Sequence, residues 1–267
     1  MTWHTDQIGR SIAINSTPKR IISIVPSQTE LLYDLGLFEA VIGITKFCIH
    51  PEEWFRNKLR VGGTKKLDIE KIRSLRPDLI LANKEENEKE QVEMLANEFP
   101  VWTSDISSLQ DALNMIRAVG EIVNKKREAG DIADRIIENF KSIPVPAQNL
   151  KTCYLIWKDP YMTIGGDTFI HDMLKHAGFD NMFGNCDRYP VTGIENLQNC
   201  QLLLLSSEPY PFKQQHKEEL QASLPQAKIM LVDGEMFSWY GSRLLQSPRY
   251  FHQLQNEILS LTHAGNR

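Results

Sequence analysis

The chain has 267 residues, of which 42% are hydrophobic and 24% are charged, a composition typical of a soluble globular protein large enough for two lobes. Its 34 acidic and 30 basic side chains give a net charge of -4, which creates no field that would attract a phosphate backbone. Nucleic acid is therefore excluded as the expected partner. No apolar run approaches the roughly 18 residues needed to cross a bilayer.

The first predicted elements are a hairpin and then a strand that leads into a helix. The segment "HTDQIGRSIAI" predicts two short strands with a turn at residues 9–10. The apolar run "RIISIV", residues 20–25, predicts a buried strand. In the following "PSQTELLYDLG", Ser27 and Glu30 form an S-x-x-E capping box and Gly36 is a C-terminal stop. We therefore expect a helix between these signals.

Strand and helix signals continue to alternate over the next 60 or so residues of the sequence. They lie in "AVIGI", in "DIEKIRSLRPDLILA" and in "QVEMLANEFPVW", whose last three residues open another strand. Such alternation is typical of a parallel sheet that is covered by helices. The sequence therefore predicts an α/β fold.

From about Leu109 to Ile143 the pattern is purely helical, in two stretches that break near Asn124. The second stretch, "KKREAGDIADRIIENFKSI", would span roughly 27 Å as a helix of about 18 residues, which is long enough to join two lobes. The alternative is a surface helix of one larger domain. We predict an N-terminal lobe at 1–123, a single long connecting helix at 124–143 and a C-terminal lobe at 144–267.

The second half of the chain repeats the order of signals in the first half. "KTCYLIW" corresponds to "KRIISIV", and "GGDTFIHDMLKHAG" predicts the helix that follows, with Asp167 as its cap and Gly178 as its stop. "TGIENLQNCQLLLL" then corresponds to "LDIEKIRSLRPDLIL", and "AKIMLV" to "FPVW". We predict two similar lobes, each a mostly parallel sheet with flanking helices. Ligands of such folds bind at the carboxyl ends of the strands, which we expect where the lobes face each other.

The common catalytic and nucleotide-binding motifs are absent from the sequence, so we predict no catalytic residue. His171 and His176 resemble a metal pair, but five residues on a helix place them about 140° apart. Cys48 and His50 could both bind a soft metal on an extended segment, but the sequence has no second pair, which favours a loop with one buried thiol. We therefore predict no metal site and no cofactor.

Four segments carry a resemblance to a known family: "KRIISIVPSQTELLYDLG", "VIGITKFCIHP", "VGGTKKLDIEKIRSLRPDLILA" and "PYMTIGGDTFIHDMLKHAGFDNMF". They resemble the substrate-binding proteins of bacterial ABC importers for vitamin B12, haem and iron-siderophores, and the cobalamin-binding type is the most similar. The likeness extends from about Lys19 to the C-terminal helix. It implies two α/β lobes joined by a single long helix, a ligand in a shallow cleft between them, and no catalysed reaction.

The resemblance implies a monomer that captures a corrinoid or another metal chelate and delivers it to the permease dimer of an ABC importer. It also implies a periplasmic or cell-envelope location. The start "MTWHTDQIGRSIAINSTPKR" lacks the apolar core of a secretory signal, which leaves a cytoplasmic location open. The alternative function is a cytoplasmic sensor, carrier or enzyme that handles such a chelate on the same scaffold.

The expected ligand contacts are aromatic, because a flat chelate needs broad apolar faces with a few fixed polar groups. The family's aromatic cleft positions correspond to Phe47 in "TKFCIHP", Trp157 in "YLIW" and Tyr189 in "DRYPVTG". This sequence departs from the family's pattern at Thr64, where the cobalamin-binding type carries an aromatic residue. The difference argues against cobalamin itself as the ligand.

A second set of expected contacts comes from the loop "GEMFSWYGSR", which follows the strand signal "AKIMLV". By the strand-end rule it adds Phe237, Trp239, Tyr240 and Arg243 on the same side as the first set. The guanidinium of Arg243 could hold a phosphate, propionate or carboxylate of the ligand. The alternative for each aromatic residue is a place in the hydrophobic core.

In the family, one surface glutamate on each lobe meets arginines of the permease. Those positions correspond to Glu70 in "LDIEKI" and Glu195 in "TGIENL". A local role is compatible with this, since Asp68 and Thr192 are natural N-caps and a glutamate in a first helical turn stabilises the helix by roughly 0.3–1 kcal/mol. Thr192 and Glu195 also match a capping box.

Overall fold

The computed structural model describes residues 1–145 and 149–264, with side chains up to residue 260. The strands are β1 (Thr2–Thr5), β2 (Ser11–Ile14), β3 (Ile21–Ser23), β4 (Val41–Ile44), β5 (Leu59–Arg60), β6 (Leu79–Asn83), β7 (Val101–Ser104), β8 (Lys151–Leu155), β9 (Asp180–Asn181), β10 (Leu202–Ser206) and β11 (Lys228–Val232). The α-helices are α1 (Pro26–Asp34), α2 (Glu52–Asn57), α3 (Ile69–Leu75), α4 (Lys89–Ala96), α5 (Leu109–Ile122), α6 (Lys126–Lys141), α7 (Phe169–His176), α8 (Gln214–Ser223), α9 (Glu235–Ser238) and α10 (Ser247–Ala264). Short 3-10 helices lie at Ile194–Leu197 and Ser242–Leu245.

The chain divides into two compact units. Unit 1 contains residues 1–106, 110–135 and 240–243, and unit 2 contains residues 107–109, 136–239 and 244–267. The predicted lobe boundaries at 123/124 and 143/144 stay a prediction, and residues 146–148 and 265–267 of the predicted C-terminal lobe lie outside the described residues. Within the described ranges, no helix combines the length and apolarity needed to span a membrane.

Unit 1 contains a five-stranded parallel sheet in the order β5-β4-β3-β6-β7 and a separate two-stranded hairpin. The hairpin prediction is confirmed, because β1 pairs with β2 antiparallel and the backbone N–H of Asp6 donates to the carbonyl of Arg10 at 2.9 Å. The middle strands β3 and β6 are fully buried, as their mostly apolar sequences predict. The prediction of an α/β fold is confirmed for this unit.

The first helix of unit 1 begins at a different signal from the predicted one. Pro26 occupies the first turn and Val25 is the N-cap residue, with no side-chain cap, so the capping box of Ser27 and Glu30 is wrong. Proline has its φ already near the helical value and no N–H to satisfy, so the helix begins at Pro26 and takes Ser27 inside it. The predicted stop is confirmed, since Gly36 follows the helix with φ of +76°.

Helices α5 and α6 are separated at the predicted place, because Asn124 adopts a left-handed φ of +56° and ends the first helix. The turn is tight: a Cβ at Gly120 of α5 would lie 2.2 Å from Cβ of Ala129 of α6. Glycine at this position lets the two helices approach closely. The residues of α6 are divided between the units, with 126–135 in unit 1 and 136–141 in unit 2.

Unit 2 contains a four-stranded parallel sheet in the order β11-β10-β8-β9, which confirms the α/β prediction here too. Its helix α7 is capped by Thr168, whose Oγ1 accepts from the N–H of His171, and not by the predicted Asp167. The carboxylate of Asp167 accepts from the N–H of Arg188 at 2.6 Å. The predicted stop at Gly178 is confirmed by its φ of +77°.

The internal repeat differs in detail between the two units. In unit 1, Asp68 caps α3 as predicted, since its carboxylate accepts from the N–H of Lys71 at 3.1 Å. In unit 2 the corresponding segment is only a 3-10 turn whose N-cap residue is Gly193, so the predicted cap at Thr192 is wrong. The Thr192 hydroxyl instead donates to the carbonyl of Gly193 at 3.3 Å. A four-residue 3-10 turn needs fewer capping interactions than a longer α-helix.

Candidate functional site

In unit 1, a network of buried amides fixes the loops that follow the parallel strands. The Asn87 side chain is buried, and its Nδ2 donates to the carbonyls of Ile24 at 3.1 Å and Thr64 at 3.0 Å. Its Oδ1 accepts from the N–H of Asn83 at 2.8 Å. These bonds link the loops after β3, β5 and β6. The carboxyl-end surface of this sheet is therefore held in one conformation by side-chain to backbone bonds.

Phe47 lies on this surface, in the loop after β4, and its side chain is 51% exposed. Its ring packs beside the backbone of Gly63, where a Cβ would lie 3.1 Å from the ring, and Lys46 Nζ lies 5.1 Å from the ring centroid. The neighbouring Cys48 thiol is fully buried and bonded to Thr29 at 3.1 Å. Desolvation raises the pKa of Cys48, so this thiol is a structural group. Phe47 therefore presents an exposed aromatic ring at this surface, and its contact with a ligand stays a prediction.

The predicted contacts Tyr240 and Arg243 belong to unit 1, although the residues on either side belong to unit 2. The Tyr240 hydroxyl donates to Glu86 at 2.6 Å, and burial followed by the Glu86 charge raises the pKa of Tyr240 well above its ordinary value. The Arg243 guanidinium donates to Glu30 through Nε at 2.9 Å and Nη2 at 2.7 Å. The side chains of Tyr240 and Arg243 are both buried. Two donors of Arg243 are thus occupied by Glu30, and contact of Tyr240 or Arg243 with a ligand stays a prediction.

In unit 2, Trp157 follows β8 and its side chain is 41% exposed. It pairs with Met162, which pairs in turn with the exposed Val191, so the three side chains lie on one face of a small antiparallel ladder. The Trp157 ring meets the Tyr210 ring edge-on at 5.7 Å. Trp157 therefore lies beside other apolar side chains at the carboxyl end of this sheet.

Tyr189 lies in the segment that leads into this ladder. Its ring is half-buried and the Arg188 guanidinium lies 5.5 Å from the ring centroid. The backbone here is held by the N–H of Gly165, which donates to the carbonyl of Arg188 at 2.7 Å. Contact of Tyr189 with a ligand stays a prediction.

The structure corrects the prediction for Phe237. Its side chain is fully buried, with ring centroids 5.2 Å from Tyr154 and 4.8 Å from Phe251, so it packs in the core of unit 2. The strand-end rule placed it in the correct loop, but α9 turns this side chain inward. Trp239 is also buried, and its Nε1 donates to Glu208 at 3.1 Å. Its contact with a ligand stays a prediction.

Glu208 was not selected by the sequence patterns. It lies two residues beyond β10, and its Oε1 accepts from both Ser238 Oγ and Trp239 Nε1. Burial raises the pKa of Glu208, with a further contribution from nearby Glu235, whereas the bond from Ser238 opposes the shift. The sequence signal that could have identified Glu208 is its position directly after the apolar run "LLLLSS", because the strand-end rule had selected the loop after "AKIMLV" in the same way.

The two predicted docking glutamates lie on the surface of separate units. The Glu70 side chain is exposed in the first turn of α3 and pairs with Arg73 at 2.6 Å, and Arg73 also binds Glu98. Glu195 is exposed in the 3-10 turn of unit 2, where its carboxylate folds back over Gly193. Surface pairs such as that of Glu70 contribute little to stability, so this carboxylate can exchange its partner. The docking role of both residues stays a prediction.

The two histidines of α7 have separate neighbours. His171 Nδ1 lies 3.2 Å from Asn181 Nδ2, and His176 Nε2 lies 3.6 Å from the Asp172 carboxylate. Among the residues whose side chains are described, no group of three or more His, Cys, Asp or Glu is arranged to hold a metal ion.

Comparisons with known proteins agree with this architecture. A family described as "Periplasmic binding protein" matches residues 21–225. The chain is 28% identical over 181 residues, 64% of its length, to the uncharacterized ABC transporter substrate-binding lipoprotein YvrC of Bacillus subtilis, and the aligned part spans 57% of that protein. It is 28% identical to the vitamin B12-binding protein of Vibrio vulnificus over 70% of each chain.

A solved structure has the same fold. The periplasmic haem-binding protein HutB of Vibrio cholerae superposes with a TM-score of 0.75 over 91% of this chain and 99% of that chain, at 19% identity. The family match covers both parallel sheets except the last strand, and the fold similarity covers nearly the whole chain. The chain therefore belongs to the periplasmic binding protein family, and its relatives include a protein named as an ABC transporter substrate-binding lipoprotein.

Proposed function

We propose that this chain captures a corrinoid or another metal chelate and delivers it to the permease dimer of an ABC importer. Relatives named for vitamin B12 and haem bind large metal macrocycles, which share a broad, largely apolar face. The proposed place of action is the cell envelope, because the family is described as periplasmic and the Bacillus relative as a lipoprotein.

The observation that carries the proposal is the exposure of Phe47 and Trp157 at the carboxyl ends of parallel strands. Their side chains are 51% and 41% exposed, although fully burying such a ring stabilises by about 1.5–3 kcal/mol. Open parallel sheets bind their ligands at this edge. A flat chelate that covers either ring would gain that burial, and this is why we favour a macrocyclic or aromatic-rimmed ligand.

Incubation with three chelates tests the proposal directly. The purified protein is mixed with cyanocobalamin, haemin or a ferric hydroxamate, desalted, and its visible spectrum recorded. Retention of one chelate near one equivalent is the expected result, because its colour travels with the protein only when bound. Spectra identical to that of the protein alone for all three chelates would contradict the proposal.

A further inference from the structure

The Glu208 carboxylate lies at the carboxyl end of β10, which is flanked by β8 and β11 in the sheet of unit 2. One oxygen, Oε1, accepts two hydrogen bonds, from Ser238 Oγ and from Trp239 Nε1. Both donors come from the segment after β11. Two donors on one oxygen fix both the position and the plane of the carboxylate.

The backbone of Glu208 is fixed as well. The Ser206 hydroxyl donates to the Glu208 carbonyl at 2.6 Å and accepts from its N–H at 3.3 Å. The stem of the side chain packs on Gly234, where a Cβ would lie 2.7 Å from Glu208 Cγ. Contacts to the backbone, to Cγ and to the carboxylate thus all fix Glu208. Little conformational entropy of this side chain would therefore be lost when a ligand binds.

The second oxygen, Oε2, is at least partly accessible to solvent. No donor in the described part of the chain reaches it within hydrogen-bond distance, and it is not among the buried atoms that lack a partner. Its lone pairs therefore face water or a ligand. A rigid acceptor with one occupied and one available oxygen is suited to recognise a donor group.

Glu208 is connected through Tyr210 to the apolar side chains around Trp157. Tyr210, two residues after Glu208, donates its N–H to the Ile156 carbonyl at 3.2 Å, and its ring contacts Trp157. Asp233 and Glu235, after the neighbouring strand, add two more carboxylates close to Glu208. A ligand on Trp157 thus meets an apolar face beside an acidic edge. A carboxylate on that side of the ligand would be repelled.

We propose that Glu208 is a specificity-determining ligand contact, whose Oε2 accepts a hydrogen bond from an N–H or O–H group of the chelate. It selects chelates that carry carboxamide or hydroxyl groups on this side and disfavours those that carry carboxylates. This inference rests on the proposed function, since it requires that a chelate binds on the surface around Trp157.

The variant Glu208→Gln reverses the polarity of this contact while keeping its support. The carboxamide oxygen still accepts from Ser238 and Trp239, so the NH₂ group takes the place of Oε2 and offers a donor instead of an acceptor. The probes are cyanocobalamin, which carries carboxamide side chains, and haemin, which carries two propionates. The matched control is Glu218→Gln, an exposed glutamate on α8 of the same unit.

We expect Glu208→Gln to weaken cyanocobalamin binding, to strengthen haemin binding, or both, so that the ratio of the two dissociation constants moves at least tenfold. Glu218→Gln should leave the ratio unchanged. A smaller shift in Glu208→Gln, with a chelate still bound by the wild type, overturns the inference and leaves the proposed function standing. If the wild type binds neither probe nor a ferric hydroxamate, the proposed function fails and the inference fails with it.

A second variant covers the case in which Glu208→Gln does not fold. Ser238→Ala removes one donor from Oε1 and leaves the carboxylate and the Trp239 bond in place. The less constrained carboxylate should lose discrimination, and the same ratio should move in the same direction by at least threefold. An unchanged ratio in a folded Ser238→Ala protein overturns the inference.

Discussion

The Arg243 guanidinium binds the Glu30 carboxylate with two parallel hydrogen bonds, although 213 residues separate the two in sequence. Their side chains are only 9% and 14% exposed. Burial raises the pKa of Glu30, and the bond from Arg243 opposes that shift. The pair attaches the short segment 240–243 to the first helix of unit 1, so its loss has consequences for stability that depend on pH.

We expect Arg243→Met to destabilise the protein by about 3 kcal/mol at pH 8, because it leaves a buried carboxylate without its partner. Because the folded-state pKa of Glu30 is raised, its protonated form stabilises the folded protein. This stabilisation is complete at pH values below the ordinary glutamate pKa and is lost as the pH rises through the raised value. The loss in Arg243→Met should therefore be smaller at pH 4. Urea unfolding at both pH values measures it.

The matched control for this pair is the double variant Glu30→Met with Arg243→Met, which removes both charges. It should recover most of the lost stability at pH 8, because no unpaired charge remains buried. Equal losses for Arg243→Met at the two pH values would show that packing, and not the unpaired carboxylate, causes the effect.

Trp157→Ala should weaken chelate binding at least tenfold, about 1.4 kcal/mol, and leave the melting temperature nearly unchanged. The reason is that the ring is partly exposed at the carboxyl end of β8 and contributes little to the core. Trp3→Ala is the matched control, since Trp3 is 66% exposed on the hairpin of unit 1. Binding is measured by absorbance titration with the retained chelate. Unaltered affinity in Trp157→Ala would remove this residue from the site.

Trp239→Ala should behave differently from Trp157→Ala. Its side chain is buried and hydrogen-bonded, so truncation leaves a cavity and should cost about 3 kcal/mol of stability. Thermal unfolding measures the loss. A melting temperature equal to that of the wild type would show that the Trp239 ring contributes nothing to packing.

Two glycines in neighbouring helices should respond in opposite directions to alanine. Gly120→Ala should destabilise by about 1–3 kcal/mol, because its Cβ would overlap Ala129. Gly130→Ala on α6 meets no atom within 4 Å and should stabilise by about 0.5–1 kcal/mol, through the lower backbone entropy of the unfolded chain. Urea unfolding compares them. Equal effects of the two substitutions would contradict the close approach of α5 and α6.

Reversal of both docking glutamates, Glu70→Arg with Glu195→Arg, should abolish delivery to the importer while chelate affinity stays within a few-fold. The physical reason is that like charges at a contact repel, and a two-fold symmetric permease dimer would meet equivalent charges on two similar lobes. Uptake by a reconstituted importer measures delivery. Glu90→Arg with Glu218→Arg is the control for net charge, since both are exposed helix residues. Uptake that survives the first reversal would reject the docking role.

Most strands, most helices and the α/β class could be predicted from the sequence because their signals are local. An apolar run of a few residues, a glycine such as Gly36 or Gly178 after a periodic stretch, and the left-handed Asn124 each act within one or two turns. Caps were less predictable. Ser27, Asp167 and Thr192 each had a suitable side chain, but the cap positions are occupied by Val25 before Pro26, by Thr168 and by Gly193.

The direction and partner of each site residue depend on contacts between distant parts of the chain. The strand-end rule selected the loop that carries Phe237, yet it could not show that Tyr154 and Phe251 enclose this ring. The exposed Trp157 was predicted from the family resemblance. Glu208 became visible as a fixed acceptor only when residues 30 and 31 positions later supplied its donors. Periodicity encodes which segments form strands and helices, whereas the direction of a loop side chain depends on which distant groups pack against it.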